Sequence, residues 1–170
     1  MSKAAKFIVI INDNISRMED KAILFYSNLF GELGEKYVSE NLSSASFKKI
    51  QNDFLIEILA IGEDKNPLSF LKVDSRRLSN QNLGANKAIR VSDLVYFGSE
   101  DLTLLLNRAE EVAVQRKHDL IWIEAFEIDY TLIETLQFNH YQKFDFEQET
   151  ANNIYPNRIY FRKQVNQTNS

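Results

Sequence analysis

Three apolar runs of strand length follow one another with no helical repeat between them: Phe54 to Ile61, Leu68 to Val73 and Ala88 to Phe97. Runs of this kind, rich in β-branched and aromatic residues and bounded by turn formers, read as strands. Gly62 to Pro67 supplies the turn that pairs the first two as a hairpin. Three strands in succession cannot arise from a strict strand-helix-strand alternation, so a doubly wound parallel sheet fits poorly. The chain has to build a mixed sheet.

On either side the apolar period changes. Upstream, Phe7 to Ile11 reads as a first strand, Asn12-Asp13-Asn14 supplies turn chemistry, and Ser16 stands three residues before Glu19 in capping-box spacing. Met18, Ala22, Phe25, Leu29, Leu33 and Tyr37 then share one helical face to about Val38, with Gly31 and Gly34 placed to bend or split that helix. Ser46 to Gln51 reads as a short second helix. Downstream, Leu102, Leu105, Ala109, Val112 and Ala113 predict a helix over 100–117, and Leu120 to Phe126 has the continuous apolar character of a strand covered on both faces. Asp129 to Gln142 reads as a last helix, followed by strands near 144–149 and 158–164 and a polar tail from Val165. The fold class is therefore α/β (α+β), a mixed central sheet in the order β-α-α-β-β-β-α-β-α-β-β. A chain of 170 residues predicts one domain, here 1–164.

Composition removes several kinds of chemistry. The five glycines stand at 31, 34, 62, 84 and 98, a spacing that spells neither a dinucleotide fingerprint, nor a P-loop, nor a nucleophile elbow. There is no cysteine and there are two histidines, His118 and His140, which excludes thiolate metal sites, a cysteine nucleophile and a histidine-rich metal centre. We expect no metal. The run at Phe7 is too short for a signal-peptide core, so the reading is of a cytoplasmic protein without a membrane partner. A net charge of −4 with scattered basic residues speaks against nucleic acid and suits a cationic small molecule.

With that order of elements, Leu94-Val95-Tyr96-Phe97, then Leu105 through Ala113, Ile121-Trp122-Ile123 and Tyr141-Gln142-Lys143-Phe144-Asp145-Phe146 form a co-linear set. It resembles the GCN5-related N-acetyltransferases over nearly the whole chain. Phe70-Leu71-Lys72-Val73 and the asparagine-rich loop ending Leu83-Gly84-Ala85 look most like the bacterial spermidine/spermine acetyltransferase branch. The resemblance implies an acyl-CoA N-acyltransferase fold, in which segments 88–97 and 100–117 splay from the next strand to seat acetyl-CoA. It implies acetylation of a small amine or polyamine, with cofactor contacts at Leu94, Val95, Tyr96, Phe97, Gly98 and Ser99. A homodimer is compatible with it.

The chain departs from the family in three places. The family follows this strand with Q/R-x-x-G-x-G/A, whose amides at a helix N-terminus bind the cofactor's pyrophosphate. Here Gly98-Ser99-Glu100-Asp101-Leu102-Thr103-Leu104 is shorter, without the basic residue and both motif glycines. Glu100 and Asp101 would moreover set carboxylates beside an anion, a repulsion of about 1 kcal/mol or more. Third, the segment from Ile123 to Tyr141 is long, and the asparagine that precedes the family's tyrosine has no counterpart. These departures keep open an alternative, a catalytically silent member that uses the cleft for binding or regulation.

An alkylammonium acceptor must lose a proton before it attacks a thioester. Asp93 stands where relatives carry a glutamate and is the candidate base, acting through an ordered water; as a plain strand residue it would be solvated. Tyr141 matches the family tyrosine that protonates the leaving thiolate, and it would equally pass for a packed aromatic on a helix face. The resemblance assigns thioester polarisation to the main chain of Tyr96 and Phe97. Glu124, Glu127 and Asp129 could face a polycation, although Asp129 also suits a helix cap. The twelve phenylalanines read as core, and Arg158, Arg162 and Lys163 as an exposed strand face.

Overall fold

The computed structural model describes residues 3–76, 85, 87–146 and 154–165. These form β1 (Ala5–Ile8), α1 (Asn12–Phe30), α2 (Leu33–Asn41), α3 (Ser44–Ile50), β2 (Ile56–Glu63), β3 (Asn66–Asp74), β4 (Ala88–Val95), α4 (Ser99–Gln115), β5 (Leu120–Phe126), α5 (Tyr130–Phe138), β6 (Gln142–Phe144) and β7 (Arg158–Gln164). One sheet holds all seven strands in the order β1-β2-β3-β4-β5-β7-β6. Only β4 and β5 run parallel; every other neighbouring pair is antiparallel. The expected mixed α/β sheet is present.

Local chemistry explains where the elements begin and end. The first strand stops at Ile8 rather than Ile11, because the next helix starts earlier than the Ser16–Glu19 spacing predicts. Its cap is Asn14, whose Oδ1 accepts the Ile11 N–H at 3.1 Å while its Nδ2 donates to the carbonyls of Val9 and Asp64. Gly31 ends α1 at φ 69°, splitting the long predicted helix into α1 and α2. Ser43 caps α3 by accepting the Ser46 N–H. The last helix closes at Phe138, not Gln142, because Asn139 and His140 turn the chain and His140 sits at φ 69°. Val165 is buried and bonds to Asp119, so the chain is still packed there. Most of the polar stretch 76–87 and half of the predicted 144–149 strand lie outside the described residues, and the strand observed there, β6, ends at Phe144.

Alternation along the strands assigns the helices to faces. On β3, Ser69 reaches Asp101 of α4 at 2.6 Å, whereas Phe70 stacks edge-on against Phe47 of α3. The helices α1, α2 and α3 therefore cover one face and α4 the other. On β5, Trp122 meets Tyr160, Phe144 and Phe146 on the α1 side. Ile121 and Ile123 lie in the main core on the α4 side. The phenylalanines are not uniformly core: Phe54 is 95% and Phe138 84% exposed. Among the described residues no helix is long and apolar enough to cross a membrane.

Candidate active site

The sheet opens at its centre. Strands β4 and β5 pair from Ala88↔Leu120 to Val91↔Ile123 and then part, β4 continuing against β3 alone and β5 against β7 alone. At the parting point β4 carries an extra residue: Phe70 pairs with Val95 and Lys72 with Ser92, so two steps on β3 face three on β4. The bulge bends the strand and re-aims its side chains. Asp93 takes the left-handed turn there at φ 53°, a conformation that Asp tolerates better than most residues.

Behind the bulge is a polar recess of about 20 Å³, room for about one water molecule. Three carboxylates line it, from Asp93, Glu124 and Asp129, together with the phenols Tyr26 and Tyr37 and the Arg158 guanidinium. Asp93 is not the solvated strand residue of the plainer reading. It is held by Lys72 Nζ at 2.6 Å, both side chains less than a fifth exposed, and accepts the Tyr37 hydroxyl at 3.4 Å. Glu124 is held by Arg90 and, at 3.6 Å, by Arg158. Asp129 is different. It caps α5 by accepting the Leu132 N–H, accepts the Tyr96 hydroxyl at 2.5 Å, is 6% exposed, and has no cation within ion-pair reach among the described residues. Burial raises its pKa above the ordinary carboxylate value, against the opposing pull of those two hydrogen bonds. Burial likewise raises the phenols of Tyr26 and Tyr37, with the nearby carboxylates adding to it.

Asp129 also borders a second, larger space. A cleft of about 370 Å³ opens between α1 and the ends of β4 and β5, walled by Phe25, Leu29, Tyr96, Phe97, Ile128 and Tyr130. Its size falls in the usual range for a small-molecule site.

This fold has counterparts among solved structures. The chain superposes on a probable acetyltransferase from Staphylococcus epidermidis ATCC 12228 with a TM-score of 0.70 and 12% identity, covering 97% of this chain and 100% of that one. Against a GCN5-related N-acetyltransferase from Rhodopseudomonas palustris the TM-score is 0.69 at 13% identity, covering 97% of both. The PaiA N-acetyltransferase of Thermoplasma acidophilum, solved in complex with coenzyme A, gives 0.68 at 13% identity over 96% of this chain and 99% of that one. The chain has the GCN5-related N-acetyltransferase fold. No family model matches the sequence, and neither does any curated protein.

Within that acetyltransferase fold the predicted cofactor segment divides in its roles. The Leu94 carbonyl lines the recess side and accepts the Tyr26 hydroxyl at 3.1 Å, and Val95 is paired with β3. Tyr96, Phe97 and Gly98 border the cleft, and Ser99 opens α4. The Phe97 N–H points elsewhere than the resemblance implies, because it donates to Ser69 Oγ at 3.3 Å. Asp101 also turns away from the cleft: it is buried, accepts from Ser69 and pairs with Lys3 at 3.1 Å, leaving Glu100 as the exposed acid of that turn.

Tyr141 is not brought to the recess. It follows α5 in an extended segment, its ring 5.4 Å from Lys163 Nζ, and that ammonium is bound to Glu110 of α4 at 2.6 Å. Tyr141 thus belongs to the α4 side of the sheet, while the Asp93 recess lies among α1 and α2 residues. Its hydroxyl is buried without a well-formed hydrogen bond, and burial, then the Glu110 charge, raise its pKa well above the usual phenol value. Sequence reasoning misses Tyr26, Tyr37 and Arg158. Tyr37 sits in the helical apolar pattern and Tyr26 beside it, and nothing in that pattern marks a phenol as facing a carboxylate. Arg158 reads as an exposed strand residue, yet it packs over Phe126 at 5.1 Å and faces Glu124.

Proposed function

We propose that the protein is an acetyl-CoA-dependent N-acetyltransferase acting on a small amine or polyamine in the cytoplasm. The observation that carries this reading is the parting of β4 from β5 at the Asp93 bulge, beside a recess lined by three carboxylates. An ammonium finds acceptors at such a recess, because three carboxylates face it and one of them, Asp129, has no ion pair among the described residues. Asp93 accepts the ammonium's proton through a water, and Lys72 keeps its carboxylate in place.

The residues present suit acetyl-CoA. Its pantetheine arm is a slender chain of amides and methylenes, and the cleft bordered by Phe25, Phe97 and Tyr130 fits its apolar portions. At the diphosphate end, the first-turn amides of α4 make no intrahelical bonds and the helix dipole favours an anion. The turning away of Asp101 removes one of the two opposing charges expected there. Ser99, Glu100 and Asp101 amides would hold the diphosphate, and Tyr96 and Gly98 would border the arm.

Titration calorimetry with acetyl-CoA tests the cofactor directly. Binding heat is expected; no heat and no thermal shift at millimolar cofactor would sink the enzyme reading. Thiol release with spermidine as the amine then tests the chemistry, and Asp93→Asn is expected to slow it about 100-fold or more. A second reading rests on Glu100, which stays exposed in the first turn of α4, where its charge opposes an anion. Under that reading the cleft binds without turnover, and heat without thiol release across a panel of amines would favour it.

A further inference from the structure

Of the three carboxylates around the recess, two are held by cations and one is not. Asp93 has Lys72, and Glu124 has Arg90 and Arg158. Asp129 is more than nine-tenths buried and has only neutral donors, the Tyr96 hydroxyl and the Leu132 amide, both on Oδ1. Its Oδ2 has no hydrogen-bond partner among the described residues. A buried acid without a counter-ion is costly to a fold and is kept where it can take and return a proton.

Position adds a second, independent argument. Asp129 lines both the recess and the larger cleft, whereas Asp93 and Glu124 line the recess and not the cleft. If the amine sits at the recess and the thioester enters by the cleft, Asp129 is the group between the attacking nitrogen and the departing sulfur. We propose that Asp129, steadied by the Tyr96 hydroxyl, carries the proton from the acceptor nitrogen to the leaving thiolate, a role for which Tyr141 stands on the wrong side of the sheet. This rests on the acetyltransferase reading above.

The step balances. The ammonium first gives one proton, through a water, to Asp93, which releases it to solvent. As the nitrogen forms its bond to the acyl carbon, the Asp129 carboxylate takes the second N–H proton; as the carbon-sulfur bond breaks with its electron pair on sulfur, Asp129 returns that proton to the thiolate. The carboxylate is regenerated. The groups facing it are Tyr26 from α1, Tyr37 from α2, Asp93 from β4, Tyr96 just after it, Glu124 from β5 and Arg158 from β7. Because burial disfavours its charged form and no cation pairs with it among the described residues, a proton stays on Asp129 more readily than on an exposed carboxylate.

The test uses the full chain with coenzyme A, acetyl-CoA and spermidine as probes. Calorimetry with coenzyme A and wild-type thiol release report on the acetyltransferase reading alone. For Asp129, carboxyl carbon NMR of wild type against Asp129→Asn should reveal one titration above the ordinary carboxylate range, absent from the variant and displaced by coenzyme A. In thiol release, Asp129→Asn should lower kcat at least 30-fold while leaving KM for acetyl-CoA within about threefold, and Asp129→Glu should recover part of the loss. An Asp129 that titrates like an exposed carboxylate and ignores coenzyme A overturns the proposal even if turnover with spermidine is never seen. So does undiminished kcat in Asp129→Asn, or a loss confined to Tyr141→Phe.

Discussion

At the scale of single residues, Asp129 ties stability to the proposed chemistry with opposite signs. Its carboxyl is raised by burial, so between the unfolded value near 3.9 and its higher folded value the folded chain holds more protons than the unfolded one. Stability is therefore lost as pH rises through that window, and at neutral pH the charged, buried form weighs against the fold. Asp129→Asn keeps an acceptor for Tyr96 and Leu132 while removing the charge. Urea unfolding should show the variant more stable than wild type at pH 7, with the gain gone near about pH 3, where both side chains are neutral. A variant less stable at pH 7 would mean that the carboxylate is stabilising after all. In the sequence Asp129 reads as a helix cap, which it is; its burial and its lack of a cation come from β4 and α1 closing over it.

At the scale of elements, the break between α1 and α2 sets the site's phenols. Tyr26 near the end of α1 and Tyr37 in α2 reach Leu94 and Asp93 because the two helices fold back on each other closely. Gly34 permits that approach: a Cβ there would lie 2.4 Å from the Ser27 backbone nitrogen, which cannot yield as a side-chain tip would. Gly34→Ala should cost about 3 kcal/mol or more in urea unfolding, as overpacking against backbone does, and weaken coenzyme A binding as α1 shifts. Equal stability would show that the helices are free to separate. Gly31 and Gly34 mark a bend in the amino-acid sequence itself. What they do not convey is that the bend turns two aromatic rings from a helix's apolar stripe into hydrogen-bond donors for β4.

At the scale of the whole molecule, the central parallel pair organises both the fold and its acid response. His118 lies just before β5, 2% exposed, with Nδ1 3.3 Å from the Lys87 carbonyl at the start of β4. Burial, then the Lys87 charge, lowers its pKa below the ordinary 6.5. The unfolded chain then takes a proton near pH 6.5 that the folded chain refuses until lower pH, so stability is lost as pH falls through that range. The loss between about pH 7 and 5 should be visible in urea midpoints and be flattened in His118→Gln. An unchanged slope in that variant would assign the acid sensitivity to other groups. The same β4–β5 pair is where the sheet opens, so its lower half holds the molecule together and its upper half makes the cleft.

The sequence by itself determined the strand-rich middle, the helices beside it and hence the mixed sheet, because apolar period is a local property that burial enforces on every such chain. It also located Asp93 and the segment 94–99 on the strand and turn that edge the opening. Only the tertiary structure decided which charges are answered. Lys72, Arg90 and Arg158 come to Asp93 and Glu124 from other strands, Lys3 comes to Asp101 from the far N-terminal end, and among the described residues none comes to Asp129. Ion pairing depends on distances between residues far apart in the chain, and the apolar pattern carries no record of them. The same holds for Tyr141 and the Asp93 recess, which lie on opposite sides of one sheet.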